Sequence, residues 1–543
     1  MTPILDTPVL IAGGGPTGLV LAALLSQYGV SCVLAERNTH TTKFPKMDIT
    51  NGASMEILRR LGADDELRRV AVAPQHSFDV IFAPGLDGPE ITRWPLPSVD
   101  EQRATLRVST DGARPGEPWQ RCSQALFEAV MMDRCKRDPL IDVRQGWCLQ
   151  TCAEVGDAVE AIIVDDNDES VTIRASYLVG CDGASSRVRN ELGIAMQGAK
   201  DITTFALVHF RSADLANLHA LGQFWHLYTT GGAILIAQDE VDTWTLHHDL
   251  GPDVDDPDPI GDPAEFVARA LGQRIEIEEV VASSVWRPNA LLADRYGRNR
   301  ILLAGDSAHT MVPTGGYGMN TGLGDAFNLA WKLVGTLHGW GGPSLLASYA
   351  AERRPVGERN RNASVENALV LFQYRDMVDP NLIGHESAEG RAHRTAVAEF
   401  LTTNNAENLS LGIELDIRYD DSPIVCAADD DAPPWDRRSF VPTVRAGHRA
   451  PNVVMAEGET LFDRFGPGYT LVDAVGASSD AKLLLDEAEL VGVPVRHLVL
   501  DDPRLRQLYR HHLVLVRPDL HIAWSGTTVA DAADVIARVR GAE

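Results

Sequence analysis

Residues Val9 to Glu36 constrain the start of the fold more tightly than any other stretch. Val9 to Ala12 is a short apolar run, Gly13-Gly14-Gly15-Pro16-Thr17-Gly18 follows, and Leu19 to Tyr28 carries a helical pattern. A second apolar run, Cys32 to Ala35, ends at Glu36. Strand, glycine turn, helix and strand in that order make a βαβ unit, which demands parallel pairing. Gly13 permits the tight turn, Gly15 lets backbone approach a pyrophosphate, and Gly18 allows close helix–strand packing. Pro16 and Thr17 open the helix, whose N-terminus favours an anion. Glu36 lies 18 residues beyond Gly18, where such units place a carboxylate for a ribose hydroxyl, and Arg37 follows it. The unit predicts dinucleotide binding, although the glycines alone would also suit an ordinary strand–turn–helix.

A second glycine-rich turn comes far downstream. Ile301 to Ala304 is apolar, and Gly305 to Asn328 reads GDSAHTMVPTGGYGMNTGLGDAFN before a helical pattern through Leu333. A carboxylate at a strand end, a glycine turn and a helix N-terminus together suit a phosphorylated, ribose-bearing cofactor. Asp306 suits a ribityl hydroxyl, and backbone N–H groups near Gly316, Gly318, Met319 and Asn320 suit the edge of a flavin ring. Between the two turns, Cys181-Asp182-Gly183-Ala184-Ser185-Ser186-Arg187-Val188-Arg189 follows the apolar Tyr177 to Val179. Read alone, it is a turn with a solvated arginine.

Taken in order, the three motifs resemble those of the class A flavoprotein monooxygenases, specifically the phenol hydroxylase-like branch. The resemblance implies bound FAD, NADPH or NADH as co-substrate, and hydroxylation of a phenolic or polyketide-type ring by a flavin C4a-hydroperoxide. It also implies roles for single residues. Gln124 matches a glutamine on the flavin side, and Asp182 lies in the motif near the flavin and the nicotinamide path. Pro313 matches a proline whose carbonyl lies near the reacting position. Asp48, in Lys46-Met47-Asp48-Ile49-Thr50-Asn51, matches an aspartate of the active site and is the candidate base; a loop carboxylate or helix cap is the plainer alternative. Lys46 stands where relatives often carry arginine, keeping the charge but losing the bidentate fork. His309 matches a loop-bracing histidine.

The implied fold is α/β. A Rossmann-like FAD-binding domain occupies 1–198 and 291–400, an antiparallel substrate sheet is inserted at 199–290, a linker spans 401–440, and a thioredoxin-like domain covers 441–543. The inserted sheet is also read from the residues: Thr203 to Arg211, Gly222 to Tyr228, Ala233 to Ala237 and Thr243 to His247 are short β-branched or aromatic runs. Its Trp225 and Tyr228 are candidate cavity walls, and either His247 or Gln238 is the candidate substrate hydrogen-bonder. Asp429-Asp430-Asp431-Ala432-Pro433-Pro434-Trp435 marks the linker. Gly447-His448-Arg449-Ala450-Pro451-Asn452 and Val516-Arg517-Pro518-Asp519 resemble the ends of the thioredoxin-like extension in phenol hydroxylase relatives. Without a CxxC pair that extension is expected to be structural or to form a homodimer interface. Truncation near residue 430 is expected to leave flavin binding intact.

Composition excludes other classes. A net charge of −27 argues against nucleic-acid or anionic-membrane partners. Seven cysteines, an odd number, do not make a disulfide framework and fit a reducing cytoplasm. Cys148 and Cys152 are four apart with no histidines nearby, so no metal site is expected. No secretory leader and no apolar run of about 18 residues is found. Baeyer–Villiger oxidation or epoxidation on the same fold, and a non-catalytic flavin-binding protein, are the alternative functions. A flavin halogenase is disfavoured because no WxWxIP segment occurs.

Overall fold

Strand Ile4–Ala12 leads into helix Pro16–Gln27 and returns as strand Cys32–Glu36. The two strands pair in parallel, with Val9 opposite Cys32 and Ala12 opposite Ala35. Both apolar runs are almost wholly buried, as expected where helices cover both faces of a parallel sheet. Ile141–Gln145 extends the sheet beyond Cys32–Glu36, while Ser170–Gly180 and then Ile301–Leu303 extend it on the other flank, all in parallel. The computed structural model describes residues 4–428, 431–455, 458–476 and 478–542.

This strand order explains why motifs three hundred residues apart converge. Ile4–Ala12, Ser170–Gly180 and Ile301–Leu303 run side by side in one direction, so the turns that follow them emerge at one edge. That edge, outside the carboxyl ends of the strands, is where open α/β sheets bind ligands. Two parts of this sheet are not parallel: Trp147–Val155 and Ala158–Asp165 form an antiparallel meander onto Ser170–Gly180, and Gly297–Arg298 pairs antiparallel with Ile301–Leu303.

The inserted sheet runs Glu279–Trp286, Thr204–Arg211, Thr243–Gly251, Ala233–Ala237, His226–Thr229, Val80–Ala83, Thr92–Trp94. Its last two strands come from the segment that the sequence boundaries assign to the first flavin domain. Val80–Ala83 pairs in parallel with His226–Thr229, Val80 opposite His226, and all four of its residues are buried. Pairing with a strand about 150 residues away leaves no local signal. The stretch 401–440 is not an open spacer either. It carries helix Leu411–Leu415 and buries Ile413, Leu415, Tyr419, Ile424 and Val425. Asp429 and Asp430 of the acidic run lie outside the described residues.

The C-terminal unit is a four-stranded mixed sheet in the order Val495–Val499, Tyr469–Asp473, Leu513–Val516, Ile522–Gly526. The first pair is parallel and the other two are antiparallel, with helices Ser479–Leu490, Pro503–Leu508 and Ala532–Val539 alongside. Cys32, Cys122, Cys135, Cys148, Cys152 and Cys181 are free thiols. Among the described residues no helix is long and apolar enough to cross a membrane.

Candidate flavin and substrate site

One cavity of about 840 Å³ opens at the edge where the three turns meet. The turn residues Gly13, Gly15, Pro16 and Thr17 line it, as do Glu36, Arg37, Lys46, Gln124, Asp182, Asp306, Gly316, Gly318 and Met319. Gly13 is at φ 109°, and a Cβ there would collide with the Cys181 carbonyl. Gly15 differs: a Cβ on it meets no protein atom within 4 Å, and the same holds at Gly318. Both glycines therefore border space that backbone leaves open, the cradle a pyrophosphate and a flavin edge require. Gly18 lies behind the turn, where its Cβ would strike the Gly13 carbonyl, so it serves packing and does not line the cavity.

Charge is placed to suit such a group. Glu36 accepts the Gly14 N–H at 2.7 Å and the Asn38 N–H at 2.8 Å, which hold its carboxylate at the strand end. Asp306 is open to the cavity; burial within the protein raises its pKa, and the charges of His309 and Lys46 offset part of the rise. The first turns of helices Pro16–Gln27 and Tyr317–Leu337 add N–H groups without intrahelical partners. Lys46 projects from a backbone at φ 29°, a conformation uncommon outside glycine and often found at functional sites.

Several motif residues brace the site. The Asp182 carboxylate accepts the Ser186 hydroxyl at 2.5 Å and the Arg187 and Val188 N–H groups at 2.6 and 3.1 Å, so it caps helix Arg187–Glu191. Buried Arg189 donates to the carbonyls of Ser307 at 3.0 Å and Ala184 at 2.8 Å, tying the second motif to the third. His309 pairs with Asp325 at 2.8 Å, and Arg353 donates to the other Asp325 oxygen at 2.8 Å. Asn320, whose backbone N–H is the expected contact, has its side chain engaged elsewhere. Its amide donates to the carbonyls of Gly316 at 2.7 Å and Ile49 at 3.2 Å, and its oxygen accepts the Asn51 N–H at 3.1 Å. Those bonds turn the side chain away from the cavity, which it does not line.

The same cavity continues against the inserted sheet. Asp48 reaches it from one side, and its Oδ2 accepts the indole N–H of Trp225 at 2.7 Å and lies 3.0 Å from His226 Nε2. Burial pushes the Asp48 pKa up, but the His226 hydrogen bond and charge, the Trp225 bond and the Arg121 charge together hold it below the ordinary value. Gln124 supports this segment by donating its backbone N–H to Met47 at 2.7 Å, while its amide bonds Glu128 at 2.7 Å. Aromatic walls follow: Tyr228 stacks on Phe82 at 5.0 Å, and Phe205 stacks on Trp286 at 5.1 Å. His247 meets Trp286 edge-on at 5.7 Å, and burial lowers its pKa to about 4, so it is a neutral imidazole. Its Nδ1 and the Gln238 Oε1 are buried without protein partners, although Gln238 also donates to Thr245 at 3.1 Å. Pro313 borders the cavity between Val312 and Thr314.

Two cavity residues escaped the sequence reading. His226 is one of four histidines in the inserted sheet, and only its pairing with Asp48 separates it from the others. Glu407 comes from the stretch read as a linker, and its Oε1 accepts the Gly315 N–H at 3.1 Å. Neither had a motif to mark it.

With this geometry in place, the likeness to known proteins is direct. Residues 6–364 match the family model described as an FAD binding domain. The FAD-dependent monooxygenase apdD of Emericella nidulans is 39% identical over 98% of this chain and 90% of its own length. Aklavinone 12-hydroxylase RdmE of Streptomyces purpurascens is 30% identical over 98% and 97%. The flavin-dependent monooxygenase PieE, solved with FAD and substrate, superimposes with a TM-score of 0.88 at 26% identity over the whole of both chains. The chain belongs to the class A FAD-dependent monooxygenases.

Proposed function

We propose that this flavoprotein hydroxylates an aromatic ring that carries a hydroxyl group, of phenolic or polyketide type. The observation that carries the reading is the Asp48–His226–Trp225 cluster, which shares one cavity with Asp306 and the open glycine turn. FAD, reduced by NADPH or NADH, supplies the activated oxygen. Gly13, Gly15, Pro16, Thr17 and the helix behind them would hold its pyrophosphate, Glu36 and Arg37 its ribose end, and Asp306 its ribityl chain. Gly316, Gly318 and Met319 would border the ring, with Lys46 and Gln124 opposite.

The residues of the chain then prepare the substrate. A ring hydroxyl becomes a far better electron donor on losing its proton. A carboxylate is a strong hydrogen-bond acceptor, so Asp48 takes the hydrogen bond of the ring hydroxyl and draws its proton away from the ring, while His226 and Trp225 hold the carboxylate in place. Trp225 and Tyr228, with Phe205 and Trp286, form flat apolar walls that fix the ring and keep water out. Gln238 Oε1 and neutral His247 offer the polar contacts that set its orientation, and the Pro313 carbonyl stands beside the position attacked.

The C-terminal unit supports a thioredoxin-like reading through its strand order and mixed pairing, with a role in docking and no dithiol chemistry.

Stopped-flow spectra of the holoenzyme with NADPH, across a panel of phenols, test the function. One phenol is expected to accelerate flavin reduction, and mass spectrometry is expected to find that compound plus one oxygen. Flavin reduction that no phenol affects, with oxygen entering a ketone or alkene instead, would replace this reading with a Baeyer–Villiger oxidation or an epoxidation.

A further inference from the structure

A buried arginine stands behind the cavity cluster of Asp48, Trp225 and His226. Arg121 belongs to the short strand Gln120–Arg121, which pairs antiparallel with Ile49–Thr50, Ile49 opposite Arg121. It is 1% exposed and does not line the cavity, so it acts through other residues. Its Nη1 donates to Glu240 Oε1 at 2.6 Å and to the Ser77 carbonyl at 3.1 Å, and its Nη2 donates to the Ala237 carbonyl at 2.6 Å. Glu240 lies in the turn between strands Ala233–Ala237 and Thr243–Gly251, at φ 61°, with its side chain buried. A non-glycine residue at such a φ is uncommon and persists only where its surroundings hold it. A buried ion pair adds little net stability, because desolvation offsets most of the attraction. The contacts of this pair show what else it does.

Those contacts close a ring around the cluster. Cys122, next to Arg121, donates its N–H to the Asp48 carbonyl at 3.0 Å. Ala237, held by Arg121, donates its N–H to the Trp225 carbonyl at 3.0 Å. The Trp225 indole N–H then returns to the Asp48 carboxylate at 2.7 Å. Phe78 fills the ring, its centroid 5.8 Å from the Arg121 guanidinium carbon and 5.8 Å from the Trp225 ring, which it meets edge-on. The Arg121 charge is also one of those that hold the Asp48 pKa below its ordinary value. We propose that Arg121 is a positioning residue, which fixes the Asp48 carboxylate against Trp225 of the inserted sheet and so aims it at the ring hydroxyl. Glu240 anchors the guanidinium, and His219, 3.3 Å from the other Glu240 oxygen, backs that anchor. This inference rests on the part given to Asp48 in the aromatic reading above.

The two half-reactions of the holoenzyme separate positioning from bulk structure, because flavin reduction without substrate does not use Asp48. The substrate is the phenol that accelerates flavin reduction in the panel above. Arg121→Met combined with Glu240→Gln removes the pair together and strands neither charge. This double variant is expected to bind a full complement of FAD and to keep substrate-free flavin reduction within about twofold. Its kcat for hydroxylation is expected to fall about tenfold or more. In an Asp48→Asn background the same pair of substitutions is expected to change kcat by less than about twofold, since no carboxylate is left to aim. Arg121→Lys keeps the charge but loses the fork, and its kcat is expected to lie between those of wild type and the double variant. A double variant that hydroxylates within about twofold of wild type overturns the assignment. So does a loss that is undiminished in the Asp48→Asn background, or one that appears equally in substrate-free flavin reduction. Where the double variant holds no flavin, Arg121→Lys decides: wild-type kcat overturns the assignment, and a loss confined to hydroxylation and absent from the Asp48→Asn background supports it. If no phenol changes the rate of wild-type flavin reduction, the aromatic reading itself falls, and the role of Arg121 with it.

Discussion

Gly13 and Gly15 sit two residues apart in one turn and answer differently to a side chain. At Gly13 a Cβ would collide with the Cys181 carbonyl at a positive φ, so Gly13→Ala disturbs the sheet edge itself. At Gly15 nothing of the protein lies within 4 Å of an added Cβ. Gly15→Val is therefore expected to fold normally and to purify colourless, because only the cofactor fills that space. A yellow, stoichiometrically loaded Gly15→Val protein would refute the placement of the pyrophosphate. Asp48 permits a second prediction at this scale. Its pKa lies below the ordinary value, so the carboxylate persists as pH falls to about 4 and any stability it lends is lost only below that. Asp48→Asn is thus expected to lower kcat by roughly 10²-fold or more, at every pH above about 5, leaving substrate-free flavin reduction intact. A pH–rate profile in which the variant instead regains full rate at high pH would show that Asp48 acts by charge alone. The glycines were legible because each sits in a local pattern whose geometry demands that residue type, and Asp48 was singled out only through the resemblance of its segment to the family's. His226 and Glu407 were not, since what distinguishes them is a partner 178 residues away in one case and 92 in the other.

At the scale of elements, the site depends on a join between two pieces of chain. Helix Tyr317–Leu337 starts at the glycine turn, and Asn320 in its first turn grips the backbone of Ile49 and Asn51. The helix that presents N–H groups to the cofactor is thereby fastened to the segment that presents Asp48 to the substrate. Asn320→Ala removes three hydrogen bonds, and the Asn51 N–H and Ile49 carbonyl lose partners. A stability loss of about 1–3 kcal/mol in denaturant unfolding is expected, with kcat falling further than flavin affinity as Asp48 loses its support. A variant that loses flavin but keeps its kcat when saturated with FAD would return Asn320 to the cofactor. Sequence patterning found the parallel strands and helices around this join, because fully apolar runs and helical spacing are strong local signals. It misplaced Val80–Ala83 and Thr92–Trp94, because a strand's sequence does not record which sheet it joins.

At the scale of the molecule, the two C-terminal motifs turn out to be docking plugs. Arg449 and Asn452 of the first motif bond buried Glu56 in helix Gly52–Leu61, the asparagine at 2.9 Å. Arg517 of the second donates to both oxygens of Glu352 at 2.7 Å, and Asp519 accepts Asn328 at 2.9 Å. Lys332 completes the cluster at 2.6 Å from Glu352, and all four charged groups are buried. Burial lowers the Lys332 pKa to about 8, with the Glu352 charge opposing. The motifs were visible in the sequence, but their partners lie in the flavin domain, so the extension read as separable. The geometry argues the reverse. Cutting near residue 430 would strand Glu56 without Arg449 and leave the Glu352–Lys332 pair without Arg517 and Asp519, and an insoluble product without flavin is expected. Single substitutions separate docking from bulk. Arg517→Met leaves Glu352 buried with one cation fewer and is expected to cost about 3–5 kcal/mol. Adding Glu352→Gln leaves Lys332 and Asp519 as a balanced pair and is expected to recover more than half of that loss in thermal and denaturant unfolding. Additive losses in the double variant would mean that the two residues stabilise the fold separately and that the cluster does not hold the C-terminal unit to the flavin domain.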